Sequence, residues 1–431
     1  MHIAWSAGGE GTTDIVYCSN WTSHVEAFWD WAPFARLIRR LATLGRVILF
    51  DLPGNGLSDP VPLTQLPTIE QWTDHLGAVM DAAGSERAVL FAPEHGASLA
   101  IPFVATHPNR ASALILYGAF ARIHRADDYP FGLSLDARER GISWFRERWG
   151  TGRQLELTAP SLADDPFEVD LMGRAERYSA SPGVAEAFFE MMADVDVRHV
   201  LDTVHVPTLV LHRSGDRWIR PEHGRYLADH IPGAQYIELP GDAHFACYGD
   251  TDRVVAETRS FLAALPEPQE INRVLATIVF TDIADSTGLL AAAGDRQWRA
   301  TLDRHDALVR ELLARFRGRE IKTTGDGFLA TFDGAARAVK FALAVRDAVR
   351  GLGLQLRCGL HSGEVELRDG DVAGVAVHAA ARVAALAGGG EVLVSHTVRD
   401  LSVGASIGFS EHGEHELKGL PGSWRLFAVD G

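Results

Sequence analysis

Two aspartates in the last third of the chain stand where they could hold a metal ion. Asp282 closes the apolar run Thr277-Ile-Val-Phe-Thr-Asp-Ile283, and Asp326 sits in the Gly-flanked turn of Lys322-Thr-Thr-Gly-Asp-Gly-Phe328. Carboxylates from neighbouring strand ends can share a hard cation, and such ions work with phosphate oxygens. A third segment, Asp371-Val-Ala-Gly-Val-Ala-Val-His-Ala-Ala-Ala-Arg382, adds cationic and polar groups. Either aspartate alone reads better as a strand end or ordinary turn chemistry, since turns favour Asp and Gly. The two together, with the third segment at its spacing, favour a site.

The elements that must carry these groups follow from periodicity. The pattern predicts β (274–282), α (about 288–316), β (319–323), β (328–332), α (about 334–350), β (355–361), β (363–368), α (about 375–387) and β (391–395), with shorter elements to 429. Before them, Leu265-Pro-Glu-Pro-Gln-Glu270 has the composition of a linker. The expected division is therefore a domain over 1–265, a linker over 266–273 and a second domain over 274–431. In the first domain, six apolar runs are candidate strands: 14–18, 47–50, 88–91, 113–117, 208–212 and 235–239. Strands this apolar are covered on both faces, which predicts an α/β, doubly wound, mostly parallel sheet. Residues 121–200 lack strand signals and lean helical, as a cap would.

The composition narrows the function classes. The chain has 431 residues, enough for two or more domains, and a formal charge of −16 with no long Lys/Arg run. Nucleic acid is not an expected partner. Cys18, Cys247 and Cys358 lie far apart and form no CxxC, which suits a reducing compartment. No apolar run is long enough to span a bilayer, and no basic-then-apolar leader opens the sequence. The expectation is a cytoplasmic protein without a membrane partner.

The three segments over roughly 272–429 resemble the catalytic domain of class III nucleotide cyclases, an α+β, ferredoxin-like fold. The resemblance implies that Asp282 and Asp326 carry two Mg²⁺ or Mn²⁺ ions per site, with the Ile283 carbonyl as a further ligand. It implies that the turn Ala284, Asp285, Ser286, Thr287 cradles a triphosphate with backbone N–H groups. Lys322 and Asp371 match the family's purine-reading pair; a Lys donor with an Asp acceptor suits adenine, whereas guanine reverses the pattern. Arg382 matches the transition-state arginine, and Lys418, in Glu416-Leu-Lys-Gly419, a lysine that contacts the terminal phosphates. His378 is the departure, because the family usually has Asn there to orient the ribose. Slowed catalysis, a shifted pH optimum and a histidine-based variant of the site are all open. Family members pair head to tail, so one complete residue set per chain implies a homodimer with two composite sites.

The first 265 or so residues resemble the α/β-hydrolase fold. The carriers are Asp51-Leu-Pro-Gly-Asn-Gly-Leu-Ser-Asp59, His212-Arg-Ser-Gly-Asp216, which presents the catalytic acid, and Gly241-Asp-Ala-His244, which carries the catalytic histidine. The nucleophile elbow, expected as G-x-S-x-G, reads Ala92-Pro-Glu-His-Gly96, so Glu94 replaces the serine. The expected consequence is a degenerate site of Glu94, Asp216 and His244 in a non-hydrolytic domain, whose pocket takes a small apolar ligand. The leading expectation is thus an adenylate cyclase converting ATP to 3′,5′-cyclic AMP and pyrophosphate. Its rivals are an esterase or dehalogenase-like hydrolase using Glu94, and a pseudocyclase acting as a ligand-responsive dimer.

Overall fold

The computed structural model describes residues 1–19, 22–266, 271–323, 325–368 and 370–430. It divides into two compact units, Met1–Ile271 and Asn272–Gly431.

In the first unit the strands are β1 (Trp5–Gly8), β2 (Asp14–Tyr17), β3 (Arg46–Phe50), β4 (Ala88–Pro93), β5 (Ala111–Tyr117), β6 (Thr208–Arg213) and β7 (Gln235–Leu239). They form one sheet in the order β1-β3-β2-β4-β5-β6-β7. All pairs are parallel except β1 with β3. The central strands are buried along their whole length, as β4 (Ala-Val-Leu-Phe-Ala-Pro) illustrates. The six expected strands are all present; β1 was not expected. The stretch after β5 carries helices Leu135–Arg148, Pro166–Ser179 and Pro182–Ala193.

The second unit contains β8 (Arg273–Ile283), β9 (Arg319–Thr323), β10 (Phe328–Phe332), β11 (Leu356–Arg368), β12 (Asp371–Ala373), β13 (Val392–Ser395), β14 (Phe409–Glu416) and β15 (Ser423–Val429). The sheet order is β14-β15-β13-β11-β8-β10-β9, with β12 paired to β11. Side chains alternate across β8. Val279 and Ile283 enter the core that also holds Val309 and Val339 of helices Asp295–Arg315 and Ala335–Val349. Ala276, Ile278 and Phe280 join Ala376 and Ala380 of helix Val375–Leu386 on the opposite face. By the two-residue period, Asp282 shares that second face.

Two expectations are corrected. The strands expected at 355–361 and 363–368 are one, because Leu356 to Glu366 pair without a break with Ile283 to Arg273. Ser362-Gly363 reads as a turn, but Gly363 sits inside the ladder; a Cβ there would come within 2.9 Å of the Ala376 Cβ. The helix expected at 288–316 is two, Ser286–Ala293 and Asp295–Arg315, broken at Gly294 with φ of 75°. Among the described residues, no helix is long and apolar enough to cross a membrane.

Candidate functional site

The second unit gathers its chemistry in three places. At the end of β8, Asp282 faces Arg357, its register partner on β11. The Arg357 Nε donates to Asp282 Oδ2 at 2.7 Å, and a second guanidinium nitrogen also reaches that oxygen. Asp326 follows Gly325, whose φ of 94° lets the chain turn between β9 and β10. Burial raises the Asp282 pKa, the Arg357 bond opposes the rise, and the neighbouring Asp326 charge and hydrogen bond add to it. The structure thus brings the two expected metal carboxylates together. One guanidinium for two carboxylates leaves negative charge that a cation would neutralise. Among the described residues no group of three or more His, Cys, Asp or Glu gathers as a metal cage. Two carboxylates fit an ion that completes its shell with a backbone carbonyl, phosphate oxygens and water. That ion would be divalent, held by Asp282, Asp326 and the Ile283 carbonyl.

The adjoining turn leads into a helix. Asp285 takes the left-handed conformation, φ 53°, and caps helix Ser286–Ala293. The first-turn N–H groups of a helix have no carbonyl partner within it. The expectation for Ala284 is corrected: its N–H is already donated to the Gln355 carbonyl at 2.8 Å. The N–H groups left for the expected cradle are those of Asp285, Ser286 and Thr287.

Lys322 of β9 and Asp371 at the start of β12 form an ion pair, Nζ to Oδ2 at 2.9 Å and to Oδ1 at 3.1 Å. The Lys322 bond holds the Asp371 carboxyl below its ordinary range. His378 and Arg382 lie one turn apart on helix Val375–Leu386, both exposed. The small face of that helix explains their presentation. Ala376, Ala379, Ala380 and Val383 are buried, and a Cβ at Gly359 of β11 would lie 2.0 Å from the Ala384 nitrogen. Close packing of helix on strand turns the opposite face outward. Arg382 Nε donates to the Lys418 carbonyl at 3.2 Å, so Arg382 and Lys418 are neighbours. Arg357 is the site residue that the motifs missed.

The first unit holds a second cluster. Glu94 stands at the end of β4 with φ of 52°, the strained backbone of an elbow. Gly96 is required there, since a Cβ would lie 2.0 Å from the Cys18 carbonyl oxygen. The Glu94 Oε2 is 3.5 Å from His244 Nε2, and His244 Nδ1 is 2.7 Å from Asp216 Oδ2. All three are buried. Burial alone would lower the His244 pKa, but the Asp216 and Glu94 charges outweigh it and raise it to about 10. Burial likewise would raise Asp216, yet the His244 charge and bonds from His212 and His244 hold it far below its ordinary value. The raised His244 pKa favours an imidazolium beside Asp216 and Glu94. A protonated imidazole cannot take a proton from water or substrate. Glu176 lies nearby in the same cavity, with its pKa pushed up to about 7 by burial, against the Gly152 N–H bond that lowers it.

The comparisons agree with this division. Residues 267–431 match the model of the adenylate and guanylate cyclase catalytic domain, and residues 31–252 match the serine aminopeptidase, S33 model. A pimeloyl-[acyl-carrier protein] methyl ester esterase of Neisseria meningitidis is 28% identical over 232 residues, 53% of this chain and 88% of that protein. Putative adenylate cyclase 3 of Rhizobium meliloti is 30% identical over 161 residues, 35% of this chain and 27% of that protein. A hydrolase from Oleispira antarctica shares the first unit's fold, with a TM-score of 0.53 and 17% identity over 61% of this chain and 94% of its own. The chain is a fusion, belonging through residues 31–252 to the S33 family of the α/β-hydrolase fold and through residues 267–431 to the class III adenylate/guanylate cyclases.

Proposed function

We propose that the chain is an adenylate cyclase, converting ATP to 3′,5′-cyclic AMP and pyrophosphate at the interface of a homodimer, with a non-hydrolytic regulatory domain ahead of the cyclase domain. The observation that carries this reading is the Asp282–Asp326 pair, two neighbouring carboxylates with one guanidinium bonded to Asp282. Two Mg²⁺ or Mn²⁺ ions bound there would lower the pKa of the ribose 3′-hydroxyl and neutralise the departing pyrophosphate. The residues of the chain do the rest. The N–H groups of Asp285, Ser286 and Thr287 orient the triphosphate. Lys322 donates to the adenine N1 while Asp371 accepts from the 6-amino group. Arg382 meets the charge that develops on the α-phosphate, Lys418 holds the terminal phosphates, and His378 positions the ribose.

The homodimer is supported by the helix that carries the last groups. Val375, His378, Arg382 and Leu386 recur on one face at helical spacing, and Val375 and Leu386 are 64% and 41% exposed. Apolar side chains flanking polar site residues suit a face that a second copy covers. The non-hydrolytic reading of the first unit rests on Glu94 in the nucleophile position and on His244 held protonated.

The test is a cyclase assay of the full chain with ATP and GTP, each with Mg²⁺ and Mn²⁺. Cyclic AMP formation is expected. Asp326→Ala and Arg382→Ala should each be inactive and should recover activity on mixing, because one site of each heterodimer is then intact. Absence of any cyclic nucleotide would sink the activity; absence of recovery with proven subunit exchange would sink the shared site.

A further inference from the structure

The cavity of the first unit has a composition unlike that of a site for a neutral apolar molecule. Tyr17, Phe28, Trp31 and Trp149 contribute aromatic rings, and Glu94 and Glu176 contribute carboxylates. Those two glutamates are only 5% and 3% exposed. Among the described residues that line the cavity, none is Lys, Arg or His. The aromatic wall is held in place. Trp31 packs edge-on to Phe28 with ring centroids 5.4 Å apart and donates its Nε1–H to Tyr248 Oη at 3.1 Å. Trp149 donates its indole N–H to the Ala180 carbonyl at 3.0 Å.

Charge bookkeeping points the same way. His244 offsets one of the two carboxylates it touches, Glu94 and Asp216, so that trio keeps a net negative charge. The Glu176 carboxylate, bonded to the Gly152 N–H at 2.9 Å, has no cation opposite it in the lining. Buried carboxylates are costly without a compensating charge. Aromatic rings attract a cation through their negative faces, most strongly when water is excluded. A hard metal ion is a poor candidate, because aromatic walls cannot replace its oxygen shell. We infer that this cavity binds a small organic ammonium ion, with Glu94 serving as counter-ion where a hydrolase would keep its nucleophile. The inference rests on the reading of the first unit as non-hydrolytic, but not on cyclase activity.

The test is calorimetric titration of the full chain with choline and with its neutral isostere 3,3-dimethylbutan-1-ol. Choline carries no ester, so the measurement reads the cavity and not hydrolysis; turnover of activated esters would separately overturn the non-hydrolytic reading. Choline is expected to bind at least about tenfold more tightly than the isostere. Glu94→Gln and Glu176→Gln should each weaken choline by about fivefold or more while leaving the isostere unchanged or tighter. Should Glu94→Gln fail to fold, Glu176→Gln and Trp31→Leu carry the test. Equal or tighter binding of the isostere, undetectable binding of choline, or Gln variants that bind choline like the wild type would each overturn the inference.

Discussion

The two acidic clusters of this molecule solve opposite problems. In the first unit, Glu94, His244 and Asp216 are buried together; His244 Nδ1 is bonded to Asp216, and its Nε2 lies 3.5 Å from Glu94. In the second, Asp282 and Asp326 crowd each other near the surface with Arg357 as their partial counterweight. The remaining groups, Lys322, Asp371, His378 and Arg382, are exposed on the same unit. A cluster whose histidine is already held by two carboxylates has little left with which to drive a proton transfer. One whose carboxylates are only partly balanced keeps the charge with which the proposed function would draw in ions and substrate. The presence of a triad-like geometry is therefore a weaker sign of activity than the charge state in which it is held.

The comparison can be broken at its strongest point first. Asp282→Ala or Asp326→Ala should reduce cyclase activity on the order of 10³-fold with an unchanged circular dichroism spectrum. Turnover near the wild-type rate in either variant would remove the second cluster from the chemistry. His244→Gln should cost about 3–5 kcal/mol of stability, because it leaves two buried carboxylates uncompensated. The pH dependence has a defined sign. The His244 pKa is raised from 6.5 to about 10 in the folded chain, so its contribution is fully present below pH 6.5 and is lost as pH rises through 10. Asp216, depressed, contributes above its unfolded value and loses that contribution as pH falls through its folded one. Urea melts across pH 6–10 should show the alkaline decline in the wild type and not in His244→Gln. Parallel curves would mean that the imidazole is neutral.

Smaller effects sharpen the second cluster. ATP should be preferred to GTP by ~1–3 kcal/mol in kcat/KM, from one well-placed donor–acceptor contact of the Lys322–Asp371 pair. Equal use of the two nucleotides would show that this pair does not read the base. His378→Asn should raise kcat by about 10-fold, the equivalent of ~1.4 kcal/mol, and flatten the pH profile between about 5 and 8. A variant slower at every pH would make the histidine an adapted part of the site.

Much of the architecture was legible because burial leaves a strong pattern. The six parallel strands of the first unit are nearly all apolar, and β8 alternates up to Asp282. The missed strand, β1, is Trp-Ser-Ala-Gly with every residue partly or fully exposed, so no pattern marks it. Two element bounds differ at glycines: Gly363 lies inside a continuous strand where two were expected, and Gly294 breaks in two the helix expected over 288–316. Site residues were legible where they sit in local motifs. Arg357 was not, because its importance comes from pairing with a residue 75 positions away, and strand register is set by the whole sheet. Glu94 was readable as a replacement, but the protonation of His244 depends on two carboxylates brought in from distant segments.

The Arg357–Asp282 pair has a thermodynamic consequence. An ion entering beside Asp282 must compete with a guanidinium already bonded there, so metal binding is an exchange that costs the protein an ion pair. A triphosphate arriving with the metal offers the displaced guanidinium a new partner. On the proposed function each ligand would restore what the other removes, and their affinities would be linked reciprocally: metal would tighten nucleotide by the same factor that nucleotide tightens metal. Such a site would be guarded against solitary cations and solitary nucleotides alike, and would fill most favourably with both at once.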